Sequence, residues 1–180
     1  SMATARPGRR RCWCGCRRTR PGVSPDPIQP ETPARVASAV QLACLLEASA
    51  PKPGNVSPGR PFRDMRYDDF VASAMAIGPA FLRAGEQPLG ATILAAVQAT
   101  RQATPVNTNL GIVLLLAPLA RAAMRGGSGS LRERARREVD ATTVRDAEHA
   151  YEAIRLAAPG GLGTAPDADV AMTPTLPLVE

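Results

Sequence analysis

The stretch "ASAPKPGNVSPGRPFRDM", residues 48–65, places two Pro-Gly pairs, three cations and one acid between two helix-like segments. Proline followed by glycine is the preferred central pair of a type II turn. Lys52-Pro53-Gly54-Asn55 and Ser57-Pro58-Gly59-Arg60 therefore predict tandem turns that fold the loop back and expose backbone N–H groups. Amides from Gly54 and Asn55, together with Lys52 and Arg60, form the kind of set that holds phosphates. Asp64 follows closely, and Mg²⁺ is usually held by one or two carboxylates plus substrate phosphates. The plain alternative is a solvated connector in which Asp64 serves as a helix N-cap.

Glu47 ends the preceding helix, where a negative charge costs about 0.3–1 kcal/mol against the helix dipole. Lys52 or a bound metal would offset that charge, so Glu47 joins Asp64 as a Mg²⁺ candidate. A second polar island, Pro105-Val106-Asn107-Thr108-Asn109-Leu110-Gly111, precedes the most apolar segment of the chain. Asparagine offers donor and acceptor together, which suits reading a base edge or a ribose. Asn107, Thr108 and Asn109 are the nucleotide-binding candidates, with Thr108 or Asn107 equally able to cap the helix that follows. One capping residue does not account for all three. His149, amid "DAEHAYEA", is expected on a helix surface, with Asp146 and Glu152 a charged face.

Helices must position these islands. "ARVASAVQLACLLEASA" spaces Val36, Val40, Ala43 (with Cys44) and Leu46 helically, and Pro51 stops it. "YDDFVASAMAIGPAFLRAG" puts Phe70, Ala74, Ile77 and Phe81 on one face, acids in the first turn, and a kink at Gly78-Pro79. "LGATILAAVQATRQA" aligns Leu89, Ile93 and Val97. "LGIVLLLAPLARAAM" is apolar nearly all round and predicts a buried helix, a buried strand being the alternative. "RGGSGS" reads as a flexible break. "TTVRDAEHAYEAIRLA" predicts a helix opened by a Thr143/Asp146 capping box, with Val144, Ala147, Tyr151 and Ile154 inward. The expected fold is all-α, a single domain of five to seven helices over residues 34–180, behind a disordered tail at 1–33.

Composition agrees. Aromatics are 3% of a chain that is 44% hydrophobic, so Ala, Leu and Val must build the core, which favours close helix packing over sheets. The net charge of +6 belongs to the tail: seven Arg and no acid fall within residues 1–22, leaving 15 basic against 16 acidic residues elsewhere. A nucleic-acid binder acting through that tail would show steep salt dependence, but the near-neutral domain and its lack of interleaved aromatics argue against one. Cys12-Trp13-Cys14-Gly15-Cys16 lacks the spaced pairs and distant partners of a zinc site and reads as incidental thiols. The start resembles some organelle-targeting peptides in its arginines yet lacks the apolar stretch of a secretory signal. The longest apolar run, 110–117, is too short for a bilayer. A soluble, cytoplasmic chain with no membrane partner is expected.

Taken in order, Glu47, "PKPGNV", "RDMRYDDF", "VNTNLG" and "VRDAEHAYEAIRLAAPGGLG" resemble the triphosphoribosyl-dephospho-CoA synthases from about Val40 onward. The resemblance implies an all-helical transferase that uses ATP, with Mg²⁺, and 3′-dephospho-CoA. In that reaction the acceptor's 2′-hydroxyl attacks the ribose C1′ of ATP and adenine leaves. It implies phosphate contacts at Lys52, Gly54, Asn55 and Arg60, and carboxylate roles for Glu47 and Asp64. The chain departs from the family at Phe62, where a histidine is usual, and at Asn109-Leu110, where the family carries His-Lys. Family members also continue through further helices, so a C-terminally incomplete chain is expected, with a homo-oligomer as one way to cover its apolar faces. A different acceptor, or a nucleotide-binding chain without turnover, are the other functional expectations.

Overall fold

A computed structural model describes residues 28–179. The tail, with its three cysteines and arginines, lies outside the described residues apart from its last few positions. All regular structure described is helical: α1 (Pro33–Ser49), α2 (Tyr67–Ala76), α3 (Gly78–Leu82), α4 (Leu89–Ala103), α5 (Leu110–Arg125), α6 (Leu131–Asp140) and α7 (Val144–Ala157). Two isolated β-bridges, Ile28 with Gly127 and Ser57 with Arg60, are the only strand-like pairings among the described residues.

Helix α1 opens with Thr32 Oγ1 accepting from Arg35 N, and Pro33 sits in the first turn, where its missing N–H costs nothing. Its inner face is Val36, Val40, Cys44 and Ala48, a strict four-residue repeat. Leu46, expected inward, is 61% exposed, because two positions past Cys44 it points roughly 200° around the helix. The Gly78-Pro79 break falls where expected, splitting the segment into α2 and α3 after Ile77. Pro79 cannot donate to the preceding turn. Phe70, Ala74, Ile77 and Phe81 nevertheless stay on one buried side across the break.

Helix α5 is a helix and not a strand, but it is not buried all round. Leu110, Val113, Ala117 and Ala120 face the core, whereas Leu115 is 71% exposed. The segment expected as a flexible break is tied down instead. Ile28 and Gly127 exchange two backbone hydrogen bonds at 3.1 Å, and Glu31 N donates to Ala123 O. Residues 28–31, assigned above to the tail, thus lie against the α5–α6 connection. A Ser130/Glu133 capping box then opens α6, a helix the sequence had not suggested because "LRERARREVD" carries no apolar stripe. Arg121 Nε and Arg125 Nη1 reach Glu138 Oε2 at 2.8 and 3.2 Å and hold α6 to α5.

Helices α4 and α7 share the most extensive contact among the described helices. Ala147, Ala150, Ala153 and Ala157 form the buried side of α7, while Val144 is 36% exposed and Tyr151 and Ile154 are only partly buried. The inner stripe is therefore alanine, turned away from the larger side chains expected there. Small side chains let the axes approach, and Gly90 on α4 lies against the backbone of Asp146 itself.

Asp146 closes this junction. Its Oδ2 accepts from Thr143 N and Oγ1 at the start of α7, and its Oδ1 accepts from Gly90 N in α4 at 2.8 Å. Burial alone would raise its pKa. The Gly90 and Thr143 amides, the Thr143 hydroxyl and the Arg121 charge outweigh that and hold the carboxyl below its ordinary value of 3.8. The unfolded chain therefore binds this proton more tightly. Its stabilisation is complete above the unfolded pKa and is lost as pH falls through the lower folded value. Thermal unfolding followed between about pH 6 and pH 2 should show a shallower acid limb in Asp146→Asn than in the wild-type chain. Parallel acid limbs would mean that this carboxylate contributes none of the acid sensitivity.

Candidate functional site

The loop at 50–66 contains both turns that the Pro-Gly pairs predict. Gly54 and Gly59 adopt φ of 72° and 76°. Asn55 N donates to Lys52 O at 3.3 Å, and Arg60 N donates to Ser57 O at 2.8 Å. Proline cannot take positive φ, so glycine in the left-handed region behind it defines the type II form. Between the turns Val56 is fully buried and, with Ala48 and Phe70, forms a small cluster that Met65 and Tyr67 cover. That one apolar anchor pins an otherwise polar loop against the end of α1 and the start of α2. Tyr67 Oη lies 2.8 Å from Ser49 Oγ and adds a polar tie beside it.

The second island is held by three threonines. Thr104 Oγ1 donates to Asp69 Oδ1 at 2.9 Å, and Thr108 Oγ1 donates to Ser73 Oγ at 2.7 Å. Thr100 Oγ1 donates to Asn109 Oδ1 at 3.1 Å. Residues 104–109 are thereby stitched to α2 and to the last turn of α4. Asn107 Oδ1 accepts from Leu110 N at 3.2 Å, so Asn107, one of the two capping alternatives, supplies the side-chain bond at the head of α5. Asn109 occupies the N-cap position without making a capping bond.

These two assemblies face each other across an open groove of about 300 Å³, lined by Glu47, Asn55, Met65, Phe70 and residues 107–112. Five of the nine candidate residues thus meet: Glu47, Asn55, Asn107, Thr108 and Asn109. Lys52 stands just behind, its Nζ donating to the Glu47 carboxylate and, at 2.8 Å, to Glu47 O. It answers the charge at the helix end as anticipated. Gly54 is on the exposed tip of the first turn. Arg60 and Asp64 are exposed and outside the lining, so the two cations do not share the groove wall. Asp64 is not the cap of α2 either; Arg66 holds that position and Asp69 supplies the carboxylate.

The chemistry of the groove follows from its lining. It has one carboxylate, three carboxamides and a hydroxyl against the apolar sides of Phe70, Met65, Leu110 and Ile112, and no Lys or Arg. Such a wall suits an uncharged ring and a developing positive charge better than a polyanion. Cys44, one helical turn before Glu47, is no nucleophile at neutral pH. Burial, with the Glu47 charge adding to it, pushes the thiol up to about 11 despite a backbone hydrogen bond. His149 lies on α7, outside the lining, with its Nδ1 unpartnered. Among the described residues no three His, Cys, Asp or Glu converge as a metal centre.

A family model described as ATP:dephospho-CoA triphosphoribosyl transferase (CitG) matches residues 33–179. The chain belongs to this family. No curated protein and no solved structure matches it. Every described helix of this transferase-family chain falls within the matched span, as do both polar islands. None of its described helices is long and apolar enough to cross a membrane. Of the two departures noted in the sequence, Phe62 is 46% exposed and outside the groove, while Asn109 and Leu110 are part of its wall.

The residues that sequence reasoning missed are those that hold the site together: Thr100, Thr104, Ser73, Asp69 and Val56. Each is an ordinary helix or loop residue by type. Only the spacing of Thr100, Thr104 and Thr108 at intervals of four, amid Ala-rich and apolar segments, offered a signal.

Proposed function

We propose that this chain transfers the triphosphoribosyl group of ATP to 3′-dephospho-CoA or a related hydroxyl acceptor, releasing adenine. The observation that carries this reading is the meeting of Glu47 with Asn107, Thr108 and Asn109 in one groove, across some sixty residues of chain. In this reaction the acceptor oxygen bonds to the ribose C1′, the C1′–N9 bond breaks with its electron pair going to adenine, and the hydroxyl proton is released. C1′ acquires oxocarbenium character on the way, and the Glu47 carboxylate is the group that would stabilise it. The carboxamides hydrogen-bond the departing base, whose loss requires its ring nitrogens to be engaged.

The triphosphate would extend out of the groove toward the tandem turns, where the Arg60 side chain and the Gly54 amide have no hydrogen bond among the described residues, whereas Lys52 is engaged by Glu47 and the Asn55 amide by Lys52 O. Magnesium fits the same exposed side. Asp64 is unpaired among the described residues, whereas Glu47 is engaged by Lys52. One carboxylate plus phosphate oxygens is an ordinary magnesium set. Bound there, the ion would neutralise phosphate charge.

Adenine release from Mg·ATP by the purified chain, with and without dephospho-CoA, tests the proposal. Adenine formed only when dephospho-CoA is present is the expected result. Saturable ATP binding with no adenine under either condition would remove dephospho-CoA as the acceptor and leave a different acceptor or the second reading, a nucleotide-binding chain without turnover. The Asn109-Leu110 departure inside the groove and the Lys52 ion pair on Glu47 favour that second reading over any nucleic-acid role.

A further inference from the structure

Lys52 stands between the two parts of the site. It opens the first Pro-Gly turn, and its Nζ donates both to the Glu47 carboxylate and, at 2.8 Å, to Glu47 O in the last turn of α1. A lysine there satisfies a helix-end carbonyl and suits the dipole. It also neutralises Glu47, the only carboxylate in the groove lining. Among the described residues Glu47 has no other ion-pair partner, and Lys52 has no other carboxylate. The two side chains are 39% and 40% exposed, and an ion pair this open to water is weakly held.

We propose that the Lys52–Glu47 pair is a resting contact that the phosphates of the nucleotide open. The Lys52 ammonium exchanges the carboxylate for a phosphate oxygen, and Glu47 becomes a free negative charge only when the nucleotide is seated. This rests on the nucleotide reading of the groove, with the phosphates at the tandem turns. A polyphosphate carries more negative charge than one carboxylate and competes for the same ammonium where water already reaches it. The flexible four-carbon stem lets the ammonium move without any change of backbone. A neutralised Glu47 cannot stabilise positive charge on the sugar, whereas a released one can. The exchange thus ties the competence of the groove to occupancy of the phosphate side.

Calorimetric titration of Mg·ATP into the full chain, the Glu47→Gln and Lys52→Gln variants and the double variant measures the exchange. Glu47→Gln keeps an acceptor but removes the charge, so Lys52 is released more easily and binding should tighten about threefold. Lys52→Gln loses the phosphate contact and should bind about tenfold more weakly. With Lys52 replaced there is no pair to break, so adding Glu47→Gln to that variant should leave its affinity unchanged. Equal tightening by Glu47→Gln with and without Lys52 would reduce Glu47 to plain repulsion of the phosphates and overturn the proposal. So would a Lys52→Gln chain that binds Mg·ATP as tightly as the wild-type chain. A wild-type chain that binds no Mg·ATP would instead remove the nucleotide reading, and this inference with it. Circular dichroism checks folding; should Lys52→Gln unfold, adenosine carries the test. It has no phosphates to draw the ammonium away and should bind the wild-type and Glu47→Gln chains equally, and a matching gain for adenosine would also overturn the proposal.

Discussion

Glu47→Gln should lower adenine release by about 10²–10³-fold while leaving Mg·ATP binding within a few-fold of the wild-type chain. The substitution keeps the shape of the groove wall and a hydrogen-bond acceptor for Lys52, but removes the negative charge nearest the expected C1′ position. Only an interaction that strengthens as positive charge develops on the sugar is lost, so the effect belongs in turnover and not in affinity. Asp64→Asn is the informative comparison. Asp64 lies outside the groove lining, so its effect should be smaller and should appear mainly as weaker Mg·ATP binding. Single-turnover adenine release and nucleotide titration on both variants separate the cases. Equal losses of turnover would place Asp64 at the reacting centre, contrary to the geometry, and undiminished turnover in Glu47→Gln would remove the carboxylate from the mechanism.

The second large effect concerns the scaffold. A Cβ on Gly90 would lie 2.3 Å from Asp146 O, 2.6 Å from its Cα and 2.8 Å from its carbonyl carbon. These are backbone atoms in the capped first turn of α7, with no flexible side chain to move aside. Gly90→Ala must therefore push α7 away from α4, weaken the Gly90 N to Asp146 Oδ1 bond and open the alanine seam from Ala147 to Ala157. A cost of about 3 kcal/mol or more is expected, a large share of the stability of a domain this size. Urea denaturation measures it directly, as a lower midpoint at unchanged slope. Gly111→Ala is the control. It sits in the first turn of α5 with nothing within 4 Å of the added Cβ, so the same substitution should be neutral or stabilise by about 0.5–1 kcal/mol. Equal effects at the two sites would show that backbone entropy, and not the collision, governs Gly90.

Because the groove is built on that scaffold, the two predictions are linked. Thr100 and Thr104 lie at the end of α4, the same helix whose first turn meets Asp146. A displaced α4 would carry Asn109 and Asp69 contacts with it. Gly90→Ala is thus expected to reduce nucleotide affinity as well as stability, although Gly90 lines no part of the groove.

Local chemistry was enough for much of this protein. Proline and glycine dictate their own dihedral angles, so the turns at 52–55 and 57–60 could be placed without knowing anything beyond them. Apolar spacing is a property of one helix, so α1, α2, α4, α5 and α7 could be recognised, and the family match spans all of them and both polar islands. The Ser130-x-x-Glu133 box of α6 was equally readable, but its charged decapeptide hides it from any search for an apolar stripe.

What one segment cannot encode is which other segment it will touch. Leu46 and Val144 satisfied helical spacing and still ended up exposed: α1 buries the Val36, Val40, Cys44 and Ala48 side instead, and α7 turns inward the alanines that let α4 approach. The separation of Arg60 and Asp64 from the groove, and the union of Glu47 with residues 107–109, depend on Val56 anchoring one loop and three threonines anchoring the other. The Thr104–Asp69 and Thr108–Ser73 contacts join positions 35 residues apart, and their energies arise only when the segment before α5 has packed against α2. The sequence by itself determined the helices, the turns and the stock of reactive side chains; tertiary packing alone decided which of them share a site, because burial and hydrogen-bond partnership belong to pairs of segments and not to either one.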